Sequence, residues 1–130
     1  MFKIMIRKNI ISITIAIIIL VLSLSDSNKF ESISFSLFPH ADKIVHLLMY
    51  GSLMFSLLVS NRKWLSSRVA NYVILAMFTF SYGIIIELLQ KYFTNDRSAE
   101  LFDAFFNLAG IILAVLAWLV IKLTRKSTIR

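Results

Sequence analysis

An imidazole ordinarily titrates near neutral pH, and His46 has polar company at helical spacing. Asp42 lies four residues before it and Tyr50 four after, so on a helix all three share one face. A second group, Gly83, Glu87 and Gln90, is spaced by four and three, and a third, Asp103, Asn107 and Gly110, falls at i, i+4 and i+7. Lys43 and Arg97 can reach the same level. Two kinds of chemistry follow from these types. His46 with Asp103 or Glu87 can form an acid–base pair, and Lys43, Arg97 and two helix N-termini can cradle an anionic headgroup. A metal site fits less well, because one inward histidine and scattered carboxylates match no ligand spacing. No serine has the setting of a nucleophile, and the chain contains no cysteine. The bland alternative is a set of caps and interhelical hydrogen bonds, with Gly83 and Gly110 as close-packing points; such bonds are worth about 0.6 kcal/mol on average in a membrane.

The elements that carry these residues are four apolar runs, over about residues 9–24, 44–60, 69–90 and 103–123. The chain has 130 residues, 58% hydrophobic and 16% charged, and a mean hydropathy of +0.81. Soluble domains carry roughly 45–50% apolar and about 25% charged residues, so the excess points to lipid. A hydrocarbon core about 30 Å thick needs about 20 helical residues. The third and fourth runs meet this and the first two are marginal. The β-branched residues of the first run do not argue for strand, since lipid obliges a backbone to bond internally. The reading is an all-α, integral membrane four-helix bundle forming one domain over residues 1–130. The first run has the basic start of a signal peptide but no clear small-x-small cleavage site; Ser23-Leu24-Ser25 is the best imitation, and an uncleaved anchor is expected.

Charge sets the expected orientation. Lys3, Arg7, Lys8, Arg62, Lys63, Arg68, Lys122, Arg125, Lys126 and Arg130 occupy the two terminal segments and the middle loop, without an acid among them. The other two loops and their helix ends hold Lys29, Lys43, Lys91 and Arg97, with every acid of the chain. Lys and Arg flank spans on the cytoplasmic side, so ten against four places both termini inside. Trp64, Tyr72 and Trp118 then fall near the inner interface, and Tyr92 and Phe93 near the outer one. The net charge of +7 is spent beside apolar runs, which argues against nucleic acid. The basic residues read as topology signals with attraction to anionic lipid as a by-product. A transport path is disfavoured because the inner halves of the runs are Ile, Leu, Val and Phe.

With this topology, all the chemically capable residues lie at the outer ends of their helices. Asp42 is expected to cap the second helix, and Glu87 to lie within one turn of the end of the third. A carboxylate there opposes the helix dipole, so Glu87 requires a cationic partner (Arg97, Lys43 or protonated His46) or a proton of its own. In the first outer loop, Ser32-Ile33-Ser34-Phe35-Ser36-Leu37 alternates with period two, which suggests an extended stretch across the helix ends before Pro39.

Three pieces in order, Asp42-Lys43-x-x-His46-x-x-x-Tyr50, Gly83-x-x-x-Glu87-x-x-Gln90 and Arg97-Ser98-Ala99-Glu100-Leu101-x-Asp103-x-x-x-Asn107-x-x-Gly110, resemble the signature of VanZ-like membrane proteins. The match covers about residues 40–115; Asn95-Asp96 stands where members often have a Pro-Gly turn. The resemblance implies a multi-pass protein of the bacterial plasma membrane and, loosely, a role in envelope physiology or glycopeptide (teicoplanin) susceptibility. It carries over no catalytic residue and no cofactor. The partners expected are membrane lipid and a lipid-linked or anionic envelope component, and a non-catalytic structural or assembly role is the alternative. Accessibility labelling is expected to reach the rim around positions 46 and 87 from outside the cell; labelling from the cell interior would overturn the topology.

Overall fold

The computed structural model describes residues 2–25, 41–66, 68–93 and 101–127. It contains helices α1 (Phe2–Leu24), α2 (Ala41–Ser60), the single turn α3 (Arg62–Leu65), α4 (Ala70–Phe93) and α5 (Leu101–Ser127). Four of them hold stretches long and apolar enough to cross a membrane: Ile6–Leu24, Asp42–Ser60, Ala70–Phe93 and Phe102–Arg125. At 1.5 Å per residue the shortest of these is about 28 Å long, so the two runs that look marginal in the sequence suffice. Two helices outrun their apolar stretches: α1 begins at Phe2 and α5 continues to Ser127. Helical hydrogen bonding does not stop where hydropathy drops, and long basic side chains can lift their charges to the headgroups while their stems stay on the helix. The extended stretch expected over residues 32–37 lies outside the described residues.

The four long helices pack around Ile19, Tyr50, Leu53, Met54, Leu58, Leu75, Ile111 and Ala114, with Leu65 of α3 closing one end. The outward faces are almost wholly apolar. Ile10, Ile11 and Val21 of α1, Met77 and Phe78 of α4, and Leu113 and Val120 of α5 are each more than half exposed. A water-soluble monomer does not leave apolar stripes of this length uncovered; lipid removes the penalty. Several contacts between helices join uncharged groups. Ser56 donates to Ser12 at 2.9 Å, Tyr82 to the Ala16 carbonyl at 2.6 Å, and Asn61 to Asn9 at 3.0 Å. Thr79, deep in the bundle, donates to its own helix at the Leu75 carbonyl.

Two contacts show that the basic segments share one end of the bundle. Lys8 of α1 donates to Asn61, between α2 and α3, at 3.3 Å. Arg62 and Lys63 of α3 border the same cleft as Lys122 and Arg125 of α5. The opposite end gathers the C-termini of α1 and α4 and the N-termini of α2 and α5.

The most extensive helix pairing is α2 against α5, and it is made possible by glycine. A Cβ on Gly110 would overlap the Leu47 carbonyl oxygen and come within 3.0 Å of the Gly51 nitrogen. One on Gly51 would meet the Gly110 oxygen at 3.3 Å, a contact the neighbours can absorb by moving slightly. Gly110→Ala is therefore expected to destabilise the bundle by about 1–3 kcal/mol and Gly110→Leu to abolish folded protein, while Gly51→Ala costs less. Unfolding of purified variants in mixed detergent checks this order.

Candidate functional site

The polar residues of α2, α4 and α5 converge at the end away from the basic segments. His46 lies five residues into α2, Asn107 six into α5, and Glu87 six before the end of α4. This places the cluster about 8 Å inside the helix ends, at 1.5 Å per residue. His46, Tyr50, Glu87, Gln90 and Asn107 are all buried, Tyr50 and Asn107 completely. Nδ1 of His46 is 3.0 Å from Oδ1 of Asn107 and 3.6 Å from Oε1 of Glu87. With its proton on Nδ1, the ring donates to Asn107 and directs the same N–H toward the carboxylate. The His46 ring lies nearly parallel to that of Tyr50, at 9° and 6.4 Å between centroids, and Tyr50 is tilted against Tyr82.

Gly83 is what lets these groups meet. A Cβ there would stand 3.1 Å from both Asn107 Nδ2 and the Tyr50 ring. The glycine thus forms the floor on which tyrosine and asparagine rest, a more specific role than a general close-packing point. Gln90 donates to the Ser23 carbonyl at 2.9 Å, tying α4 to the last turn of α1.

Several expectations change. Glu87 is nearly two turns inside α4, because that helix runs on to Phe93. The helix-dipole penalty, confined to the last turn, is largely avoided, and desolvation takes its place. Of the cationic partners open to Glu87, His46 lies 3.6 Å away, and the Lys43 ammonium lies 5.1 Å over the Phe102 ring. Asp42 does not cap α2; it sits in the first turn of the helix, exposed to solvent, and takes no part in the cluster. Arg97 lies outside the described residues. The carboxylates are not scattered either. One ligand atom each from His46, Glu87 and Asp103 lie within 4.8 Å of one another. Asp103 is half-buried in the first turn of α5, where a negative charge is favoured. The three groups can share a proton, and with a small inward shift they can enclose a cation.

The profile of the VanZ/LLP1 family matches residues 3–122. The chain belongs to the VanZ/LLP1 family. No curated protein and no solved structure matches it. The VanZ/LLP1 match spans all four long helices and so includes α1, which the three motif pieces did not reach.

Sequence spacing missed Ser23, Phe102 and Tyr82 as neighbours of the cluster. Ser23 and Phe102 act through a backbone carbonyl and an aromatic face, which leave no mark in a residue pattern; Tyr82 adjoins Gly83 and could have been suspected. Two buried polar atoms here, Tyr50 Oη and Asn107 Nδ2, have no hydrogen-bond partner among the described residues. A double-mutant cycle of His46→Ala and Asn107→Ala should give a coupling of about 0.6–1.7 kcal/mol, the range for interhelical bonds in membranes. Additivity of the two substitutions would show that the contact does not hold α2 to α5.

Proposed function

We propose that this VanZ/LLP1 protein resides in the bacterial plasma membrane, with both termini cytoplasmic, and binds or modifies an anionic or lipid-linked envelope component at its outer polar end. One observation carries the reading: three ionisable groups from three helices, His46, Glu87 and Asp103, converge within 4.8 Å. In lipid an ionisable side chain costs about 2.5–3.5 kcal/mol near the middle of a span. Concentrating three of them at one point is what a reactive or ligand-binding centre requires. His46 and Glu87 are the acid–base pair, able to take a proton from a ligand hydroxyl or return one to a leaving oxygen. On this reading Lys43, in the first turn of α2, and Arg97, as the sequence offers it, supply positive charge for the ligand, and Tyr50, Gln90 and Asn107 shape the pocket. The family membership supports, loosely, a role in envelope physiology or glycopeptide susceptibility.

A second reading is favoured by the same bonds seen differently. His46 to Asn107 and Gln90 to Ser23 each join two helices with buried atoms, as a purely structural or assembly protein would use them. Glu87→Gln separates the two. The substitution keeps shape and removes the ionisable group. On the first reading the variant is inserted and as abundant as the parent, fails to restore whatever envelope phenotype a deletion strain shows, and loses anionic lipid-linked species that co-purify with the parent in native mass spectrometry. Arg97→Gln should behave alike. A mild effect of Glu87→Gln on phenotype and on co-purified species, with Gly110→Leu alone disabling the protein, would leave the structural reading standing.

A further inference from the structure

At the basic end of the bundle, far from the His46 cluster, a cleft of about 320 Å³ opens between α3, the start of α4 and the last turns of α5. Its walls carry Arg62 and Lys63 on one side and Lys122 and Arg125 on the other, with Tyr72 and Trp118 among the residues lining it. Among the described residues, no carboxylate lines it. These cations are more than topology signals spread over a face: four of them, from two elements distant in sequence, border one hollow. A bound anion would relieve their mutual repulsion.

We infer that this cleft is a binding site for the headgroup phosphate of an anionic phospholipid. Three further features support the assignment. Nε1 of Trp118 is buried and has no hydrogen-bond partner among the described residues, although an indole N–H seldom goes without one when buried. The ring borders the cleft and is held edge-on against Phe55, at 6.1 Å and 80°, so its place in the wall is fixed before any ligand arrives. Finally, Val120 and Leu123, on the same turns of α5, are exposed apolar residues, so a ligand seated among the cations has an apolar surface beside it for acyl chains. Arginine supplies a planar fork suited to phosphate oxygens and lysine a mobile point charge. Basic pockets between membrane helices on the cytoplasmic side are a known setting for phosphorylated headgroups. A free phosphate ion offers the same oxygens but makes no use of the apolar wall.

The chain has two tryptophans, so Trp64→Phe leaves Trp118 as the sole emitter. This protein is reconstituted in phosphatidylcholine nanodiscs containing increasing amounts of brominated phosphatidylglycerol, with brominated phosphatidylcholine as the neutral control. The anionic lipid is expected to quench Trp118 at much lower mole fraction than the neutral one. K122Q/R125Q should weaken that preference about tenfold, and R7Q/K8Q, basic residues outside the cleft, by less than about threefold. R62Q/K63Q, on the opposite wall, tests the site again should the first pair fail to fold. Equal weakening by the cleft pairs and the α1 pair would mean diffuse attraction to a basic face and overturn the site. Full recovery of Trp118 emission on adding inorganic phosphate to nanodiscs holding the brominated anionic lipid, with no such recovery for the neutral one, would overturn the lipid as occupant. Glu87→Gln should leave the quenching untouched, so this result and that for the outer cluster stand or fall separately.

Discussion

The backbones of α2 and α5 touch at Gly51 and Gly110, and the polar end of the molecule depends on that approach. Leu47, whose carbonyl faces Gly110, is the neighbour of His46; Gly110 is one turn from Asn107. A side chain between the helices at this level would hold His46 and Asn107 apart, and the 3.0 Å contact between them would open. The second glycine contact, Gly83 under Tyr50 and Asn107, does the same for α4. Small residues that bring helix backbones together are the usual device in lipid, where no hydrophobic force draws helices to each other. Here the device has a chemical consequence, since the closest approach of the bundle lies directly beneath its ionisable groups.

That approach also explains how the molecule can have two different ends. Hydroxyls and amides that satisfy one another hold the helices together along their length, as Ser12 with Ser56 and Tyr82 with Ala16 show. Charge is therefore free to segregate. One end carries Arg62, Lys63, Lys122 and Arg125 around an open cleft; the other carries His46, Glu87 and Asp103 in a closed cluster. The first is solvated and adjustable. The second is buried and set by packing.

How much of this was legible in the sequence depended on the kind of signal. Four apolar runs were plain because lipid leaves helices no other way to satisfy the backbone. Their ends were not, since Lys3 and Arg7 continue α1 without any apolar mark. The faces of His46 with Tyr50 and of Asp103 with Asn107 and Gly110 followed from helical spacing, and each does point inward. Which helix would meet which was beyond such spacing. A period of 3.6 gives the direction of a side chain relative to its own helix only. Thus the packing of Lys43 over Phe102 and the approach of Gly51 to Gly110 have no mark in the spacing, and Glu87 and Asp103, far apart along the chain, are close in space.

The burial of Glu87 has one more implication. Cohesion between these helices is already supplied by neutral groups, and a neutral pair would have served at positions 46 and 87 as well. Burying an ion pair rarely stabilises a protein relative to apolar residues of similar volume, because desolvation offsets the attraction. In lipid, the case for replacing it is stronger still. A histidine, a glutamate and an aspartate within reach of one another, with a tyrosine hydroxyl and an asparagine amide beside them lacking partners among the described residues, add no stability that neutral side chains could not supply, which is why the proposed function rests on them. The arrangement makes sense where protons or charge must be handled, and the tight glycine contacts beneath it are what keep it from relaxing into something more comfortable.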